Sequence, residues 1–131
     1  MIENPSSKEN LLSNRIIGLA IDTHRKLGPG LLESTYKACL CHKLTNAGLY
    51  VEREKYVPII FEGMTLEVGY RIDILVEKEV VLEIKNVSEL NKNHLAQILT
   101  YLKLGDYRLG ILLNFNVPVL KNGIRRVVNY K

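Results

Sequence analysis

The stretch 80–87, VVLEIKNV, constrains the fold more than any other part of the chain. Successive side chains of a strand point to opposite faces, so a strand with one wet face alternates apolar and polar residues. Here both faces are mostly apolar, and Glu83 and Lys85 are the odd residues among them. Such a strand belongs in the middle of a sheet covered on both sides. The stretch before it, GYRIDILV, reads as its neighbour, and Glu77-Lys78-Glu79 reads as the turn between them. If that turn has three residues, Val76 pairs with Val80. Asp73 then faces Glu83, and Arg71 faces Lys85. Arg71, Asp73 and Leu75 share one face of the first strand, and Tyr70, Ile72, Ile74 and Val76 form the apolar other face.

The rest of the chain supplies the covering layers. Leu12, Ile16, Leu19, Ala20, Thr23 and Leu27 recur at helical spacing over Lys8–Lys26, which predicts a first helix. Gly28-Pro29-Gly30 ends it. A second helix is expected from Leu31 to Ala47, with Glu33, Tyr36, Leu40 and Leu44 on one stripe about 80° wide. Val51–Phe61 reads as a strand that Pro58 confines to an edge or breaks. Glu62-Gly63-Met64 reads as a turn, Leu66–Val76 and Val80–Val87 as strands. A third helix should follow from Glu89 or Leu90 to Leu104, with Ser88 as its cap. Tyr107–Asn114 and Ile124–Val128 complete the strands. The predicted order is ααβββαββ, an α/β fold with a central sheet flanked by helices. A chain of 131 residues suits one such core, so residues 1–131 are expected to form a single domain, with 1–7 as a lead-in.

Composition narrows the setting. No apolar run is long enough to span a membrane, and the polar start MIENPSSKENLL does not resemble a signal peptide. The cytoplasm is the expected compartment, with no membrane partner. Cys39 and Cys41 are two apart within the second helix, a spacing that suits buried free thiols better than a redox pair or a zinc site. The net charge of +4 is compatible with a nucleic-acid partner. Beyond Lys103, Arg108, Lys121, Arg125, Arg126 and Lys131 face only Asp106. This stretch is either a phosphate-contacting edge or a solvated surface.

The chemistry concentrates at the two central strands. Asp73 and Glu83, directly opposed, place like charges close together, which is unfavourable without a counterion. A divalent cation resolves the conflict, and all-oxygen ligation suits Mg²⁺ or Mn²⁺. Lys85, two residues beyond Glu83 on the same face, can orient a water or balance a phosphate charge. On the third helix, His94, Gln97 and Tyr101 form a polar stripe, while Leu95, Ile98, Leu99 and Leu102 form the adjacent core stripe. Glu33, at the head of an apolar stripe, serves either the helix start or the site.

These residues resemble a known family. Gly30-Leu31-Leu32-Glu33-Ser34-Thr35-Tyr36 is similar to the motif of the bacterial GxxExxY proteins, placed in the PD-(D/E)XK nuclease-like superfamily. Thr23–Gly30, YRIDILVE, VVLEIKNV, HLAQILTYLKL and GILLNF extend the likeness over about residues 12–129. The resemblance implies a restriction-endonuclease-like core with a central mixed sheet. It implies metal ligation by Asp73 and Glu83, with Lys85 as the lysine beside the second acid and Glu33 as an acid from the preceding helix. Gln97 and Tyr101 resemble a motif of RecB-like members. Ile72 stands where the superfamily's name has proline.

The leading expectation is a Mg²⁺- or Mn²⁺-dependent phosphodiesterase acting on DNA or RNA. Its metal ligands are Glu33, Asp73, Glu83 and the Ile84 carbonyl. Lys85, Gln97 and Tyr101 complete the catalytic set, and Arg71 and His94 contact substrate. The alternatives are a non-catalytic nucleic-acid-binding or accessory module on the same fold, and a protein-interaction subunit. A small domain with an edge strand can also form a homodimer.

Overall fold

In the computed structural model, which describes residues 6–130, VVLEIKNV lies at the centre of a sheet. Ahead of it come α1 (Ser7–Leu27), α2 (Glu33–Asn46), β1 (Val51–Tyr56), β2 (Ile59–Phe61), β3 (Met64–Leu66) and β4 (Arg71–Val76). Then follow β5 (Val80–Lys85), α3 (Lys92–Gly105), β6 (Leu109–Asn114), a 3₁₀ turn (Leu120–Gly123) and β7 (Ile124–Val128). Five strands form a mixed sheet in the order β1-β4-β5-β6-β7. β5 runs antiparallel to β4 and parallel to β6, with α3 as the crossover between the parallel pair. Val80–Ile84 are all buried, as a strand covered on both faces requires.

Helices α1 and α2 cover one face. Ile16 and Ala20 of α1, with Tyr36, Leu40 and Leu44 of α2, pack on Ile74, Val76, Leu82, Ile84, Ile111 and Leu113. Helix α3 covers the other through Ile98, Tyr101 and Leu102, against Ile72, Leu75, Val81 and Leu112. Gly110 allows the close approach there: a Cβ at that position would lie 2.8 Å from Ile98 Cδ1. This is the α/β architecture expected, with helices on both faces of a central mixed sheet.

The structure breaks the first predicted strand at Pro58, one of the two readings given for it, and corrects three other boundaries. Pro58, which lacks an N–H, and Gly69, at φ +95°, each break a predicted strand. The pieces between them, β2 and β3, form a separate two-stranded hairpin, so the strand order is longer than ααβββαββ. Its side chains Ile60, Phe61 and Met64 are exposed. α3 starts later than expected because Asn91, not Ser88, caps it. Asn91 Oδ1 accepts from the amides of Asn93 and His94, and His94 Nδ1 accepts from the Asn91 amide. Leu95, placed in the core stripe, is exposed, while Ile98 and Leu102 are buried. Part of the predicted lead-in is also structured, since Ser6 and Glu9 form a capping box at the start of α1. Residues 1–5 of that lead-in lie outside the described residues, as does Lys131.

The Gly28-Pro29-Gly30 loop is wound around one side chain. Gly28 and Gly30 have φ of +74° and +97°, conformations that cost glycine little. The Tyr36 hydroxyl donates to the Gly28 carbonyl and accepts from the Leu31 amide at 3.1 Å. Its ring stacks on Phe115, 4.5 Å between centroids. His24 Nε2 lies 3.1 Å from the Phe115 carbonyl oxygen and closes the cluster. Tyr36→Phe keeps the stack and removes both loop bonds. It is expected to lower unfolding free energy by about 1–3 kcal/mol, measured by urea denaturation. An unchanged midpoint would show that the hydroxyl does not hold the loop.

Candidate active site at the splayed hairpin

The β4–β5 turn sets the register predicted from its length. Val76 pairs with Val80, Leu75 with Val81 and Ile74 with Leu82. The ladder then stops, one residue short of Asp73 and Glu83. Where the strands part, the Asp73 amide donates to Glu83 Oε2 at 2.9 Å, and the Ile84 amide donates to Asp73 Oδ2 at 2.8 Å. Each carboxylate replaces a carbonyl that the partner strand no longer offers. The expected direct pairs Asp73–Glu83 and Arg71–Lys85 are therefore absent from the ladder, and side-chain bonds across a notch stand in their place.

The notch also breaks the alternation predicted for β4. Ile72 and Leu75 belong to the core under α3, and Ile74 and Val76 to the core under α1 and α2. Leu75 is thus a core residue and does not share a face with a polar set. Arg71 lies at the exposed end of the strand, 4.0 Å from Glu54 and with its guanidinium 6.0 Å from the Tyr56 ring centroid.

Glu83 is only 2% exposed. Burial first, and then the charge of Asp73, push its carboxyl up to about 8, against the lowering pull of the Asp73 amide and the Lys85 ammonium. Asp73 meets a cation from the other side. Lys37 of α2 lies 3.2 Å from Asp73 Oδ1 and 3.6 Å from Glu54 Oε1. Burial works to lower the Lys37 pKa, but Asp73 and then Glu54 outweigh it and hold it above the ordinary lysine value.

Lys85, half-buried at the end of β5, donates to Gln97 Oε1 at 2.8 Å. Tyr101, buried one turn further along α3, meets the edge of Tyr70 at 6.1 Å. Burial and then the Glu83 charge raise its phenol pKa, while bonds to the Arg71 backbone and Gln97 oppose the rise. Asp73, Glu83, Lys85, Gln97 and Tyr101 are thus brought together. The buried Ile84 contributes its amide to the notch.

Three predicted residues are held in other contacts or exposed. His94 is occupied in the cap of α3. Arg71 reaches Glu54 rather than Lys85. Glu33 is exposed in the first turn of α2, after an N-cap residue, Leu32, that makes no side-chain capping bond. Its loop is tied to the end of β5, because Asn86 Nδ2 donates to the Leu31 carbonyl at 2.9 Å. Among the described residues, no group of three or more His, Cys, Asp or Glu side chains is arranged to hold a metal.

Lys37 and Glu54 are the residues that sequence reasoning missed. A signal for Lys37 existed. At about 100° per residue it falls roughly 40° from Glu33, between Leu44 at about 20° and the buried Cys41 at about 80°, so it interrupts the apolar arc of the helix. A lysine in an apolar arc calls for a buried carboxylate. Glu54 carried no such signal, since its place depends on a left-handed φ of +51°.

The family profile of the PD-(D/E)XK nuclease superfamily matches residues 10–127. The chain belongs to the PD-(D/E)XK nuclease superfamily. No curated protein and no solved structure gives a match. The mixed sheet with helices on both faces is consistent with the superfamily's restriction-endonuclease-like core. None of the described helices is long and apolar enough to cross a membrane.

A carboxyl raised from 4.5 to about 8 by folding has a definite linkage sign. The folded state holds the proton more tightly, so the contribution is fully present below about pH 4.5 and is lost as pH rises through about 8. Without divalent ions, the stability of wild type relative to Glu83→Gln should fall between pH 5 and pH 8.5 by on the order of a few kcal/mol. Denaturant titrations of both proteins across that range measure it. A constant difference would mean that Glu83 titrates as an ordinary carboxyl.

Proposed function

We propose that this PD-(D/E)XK domain is a nucleic-acid-binding module, with the phosphodiester backbone meeting the protein at the Asp73–Glu83 notch. The observation that carries this reading is charge compensation at the notch. Lys37 pairs with both Asp73 and Glu54 from within, Arg71 meets Glu54 as well, and Lys85 stands at the end of β5, so a phosphate is not met by a bare pair of carboxylates. The basic excess at Arg125 and Arg126, both exposed on β7, extends the favourable field. His94 and Arg71 are proposed as further phosphate contacts. In this reading the chain is one domain over 1–131, of the GxxExxY kind, and works in the cytoplasm as a monomer or homodimer.

Metal-dependent hydrolysis is the second reading. The observation favouring it is the convergence of two carboxyls, a lysine, a glutamine and a tyrosine on one break in the sheet. The donor set fits Mg²⁺ or Mn²⁺ because it is all oxygen: the Asp73 and Glu83 carboxylates with the Ile84 carbonyl, and Glu33 as a further carboxylate from the start of α2. The raised Glu83 pKa fits as well, since a buried acid beside another acid lacks a full positive charge. Such an ion, when bound, supplies a more acidic water and neutralises charge developing at a phosphate. The chain's own residues do the positioning. Gln97 holds the Lys85 ammonium by a 2.8 Å bond and fixes its direction. That ammonium orients a water or a phosphate oxygen. The buried Tyr101 walls the notch on the α3 side and limits the water that enters.

One experiment separates the readings. Single- and double-stranded DNA and RNA oligonucleotides are assayed for binding in EDTA and for cleavage with Mn²⁺. Binding in EDTA that weakens as salt rises supports the module. Binding to none of the four overturns it. Lys85→Ala is expected to reduce Mn²⁺-dependent cleavage by about 10²–10⁴-fold while the fold is kept. Full cleavage by a folded Lys85→Ala protein would remove Lys85 from the chemistry. Intact binding with no cleavage of any substrate would leave the module as the whole function.

A further inference from the structure

We propose that Lys37 is a built-in competitor for a divalent ion at the Asp73–Glu83 notch, with Glu54 as the partner to which it withdraws when the ion binds. The inference rests on the hydrolytic reading. Both oxygens of Asp73 are claimed in the structure, Oδ2 by the Ile84 amide and Oδ1 by the Lys37 ammonium. An ion approaching Asp73 competes with a cation already there. Two cations on one carboxylate repel, and most strongly where water is scarce. Lys37 is 8% exposed, so little water screens it.

Glu54 makes the exchange feasible. It stands in the β1–β4 register between the pairs Arg53–Ile74 and Lys55–Ile72, across from Asp73. Its backbone takes φ +51°, which side chains other than glycine seldom adopt. Its carboxylate oxygens lie 3.6 Å from Lys37 and 4.0 Å from Arg71. The ammonium already touches both acids, so a small rotation releases Asp73 without leaving Lys37 unpaired. A purely structural ion pair would hold the fold together and have no such exchange. The two roles differ in what loss of the lysine does to metal affinity.

Calorimetric titration with Mn²⁺ of wild type, Lys37→Met and Asp73→Asn tests the proposal, with circular dichroism to verify each fold. Lys37→Met is expected to bind Mn²⁺ at least tenfold more tightly than wild type, and Asp73→Asn to lose binding. Equal or weaker affinity in a folded Lys37→Met protein overturns the competition. If Lys37→Met does not fold, the wild type provides the test through amine acylation read by mass spectrometry. Lys37 should be labelled faster in Mg²⁺ than in EDTA, and an unchanged or slower rate overturns the proposal. Failure of the hydrolytic reading has a different signature. Mn²⁺ binding that ignores Asp73→Asn, or no binding in wild type and Lys37→Met alike, removes the metal site and the competition with it. Binding abolished by Asp73→Asn but not tightened by Lys37→Met removes the competition alone.

Discussion

The reciprocal bonds between Asp73 and Glu83 and the amides facing them make the break in the β4–β5 ladder tolerable. A buried amide without a partner costs free energy comparable to a lost hydrogen bond. Two such amides, of Asp73 and Ile84, face the gap, and each is met by a carboxylate oxygen from the other strand. The cost is transferred to the carboxyls. Glu83 is buried beside Asp73 and holds its proton to about pH 8. The sheet opens at its centre here because the acids that line the opening accept from the freed amides. The same acids that close the backbone account are the ones that attract a cation.

Charge then organises the surrounding layers. α2 sends Lys37 to Asp73 from one side of the sheet, and α3 sends Gln97 to Lys85 from the other. Glu54 and Arg71 extend the pairing to the edge strand. A neutral notch, with its positive groups at the rim, suits contact with a phosphate backbone better than a bare acidic cleft does. It is also a poor resting place for a free divalent ion until one cation yields. In the two proposed readings, binding without metal and hydrolysis with it would be two states of one charge arrangement, which is why the proposed functions share their residues.

The sequence made the central strand legible because burial on both faces leaves an unmistakable mark on composition. It also made the turn legible, and with it the proximity of Asp73 to Glu83. Gln97 and Tyr101 followed from helical spacing. The splay did not, because counting a register assumes a continuous ladder. Alternation placed Ile72 and Ile74 on one face, and the break put them in different cores. The divided strands at Pro58 and Gly69 show the same limit: a breaker was visible at each, but not that the pieces would leave the main sheet. Lys37 was legible in principle, being a charged residue within the apolar arc of α2. Glu33, one turn earlier and at the head of the predicted stripe, is exposed.

The GxxExxY-like stretch gains a physical meaning from these contacts. Tyr36 binds the loop before its own helix, through Gly28 and Leu31, and stacks on Phe115 just beyond β6. Asn86, just beyond β5, holds the Leu31 carbonyl. The start of α2 is thus fixed to the ends of two parallel strands rather than left to the general packing of helix on sheet. Phe115 donates its amide to the Lys85 carbonyl, so the aromatic stack is tied directly to the strand bearing the site lysine. A helix anchored at that point delivers its next inward residue, Lys37, to a fixed height above the sheet. That height is the level of Asp73. The glycine, the tyrosine and the buried lysine therefore act as one positioning device, in which the loop sets the helix and the helix sets the charge.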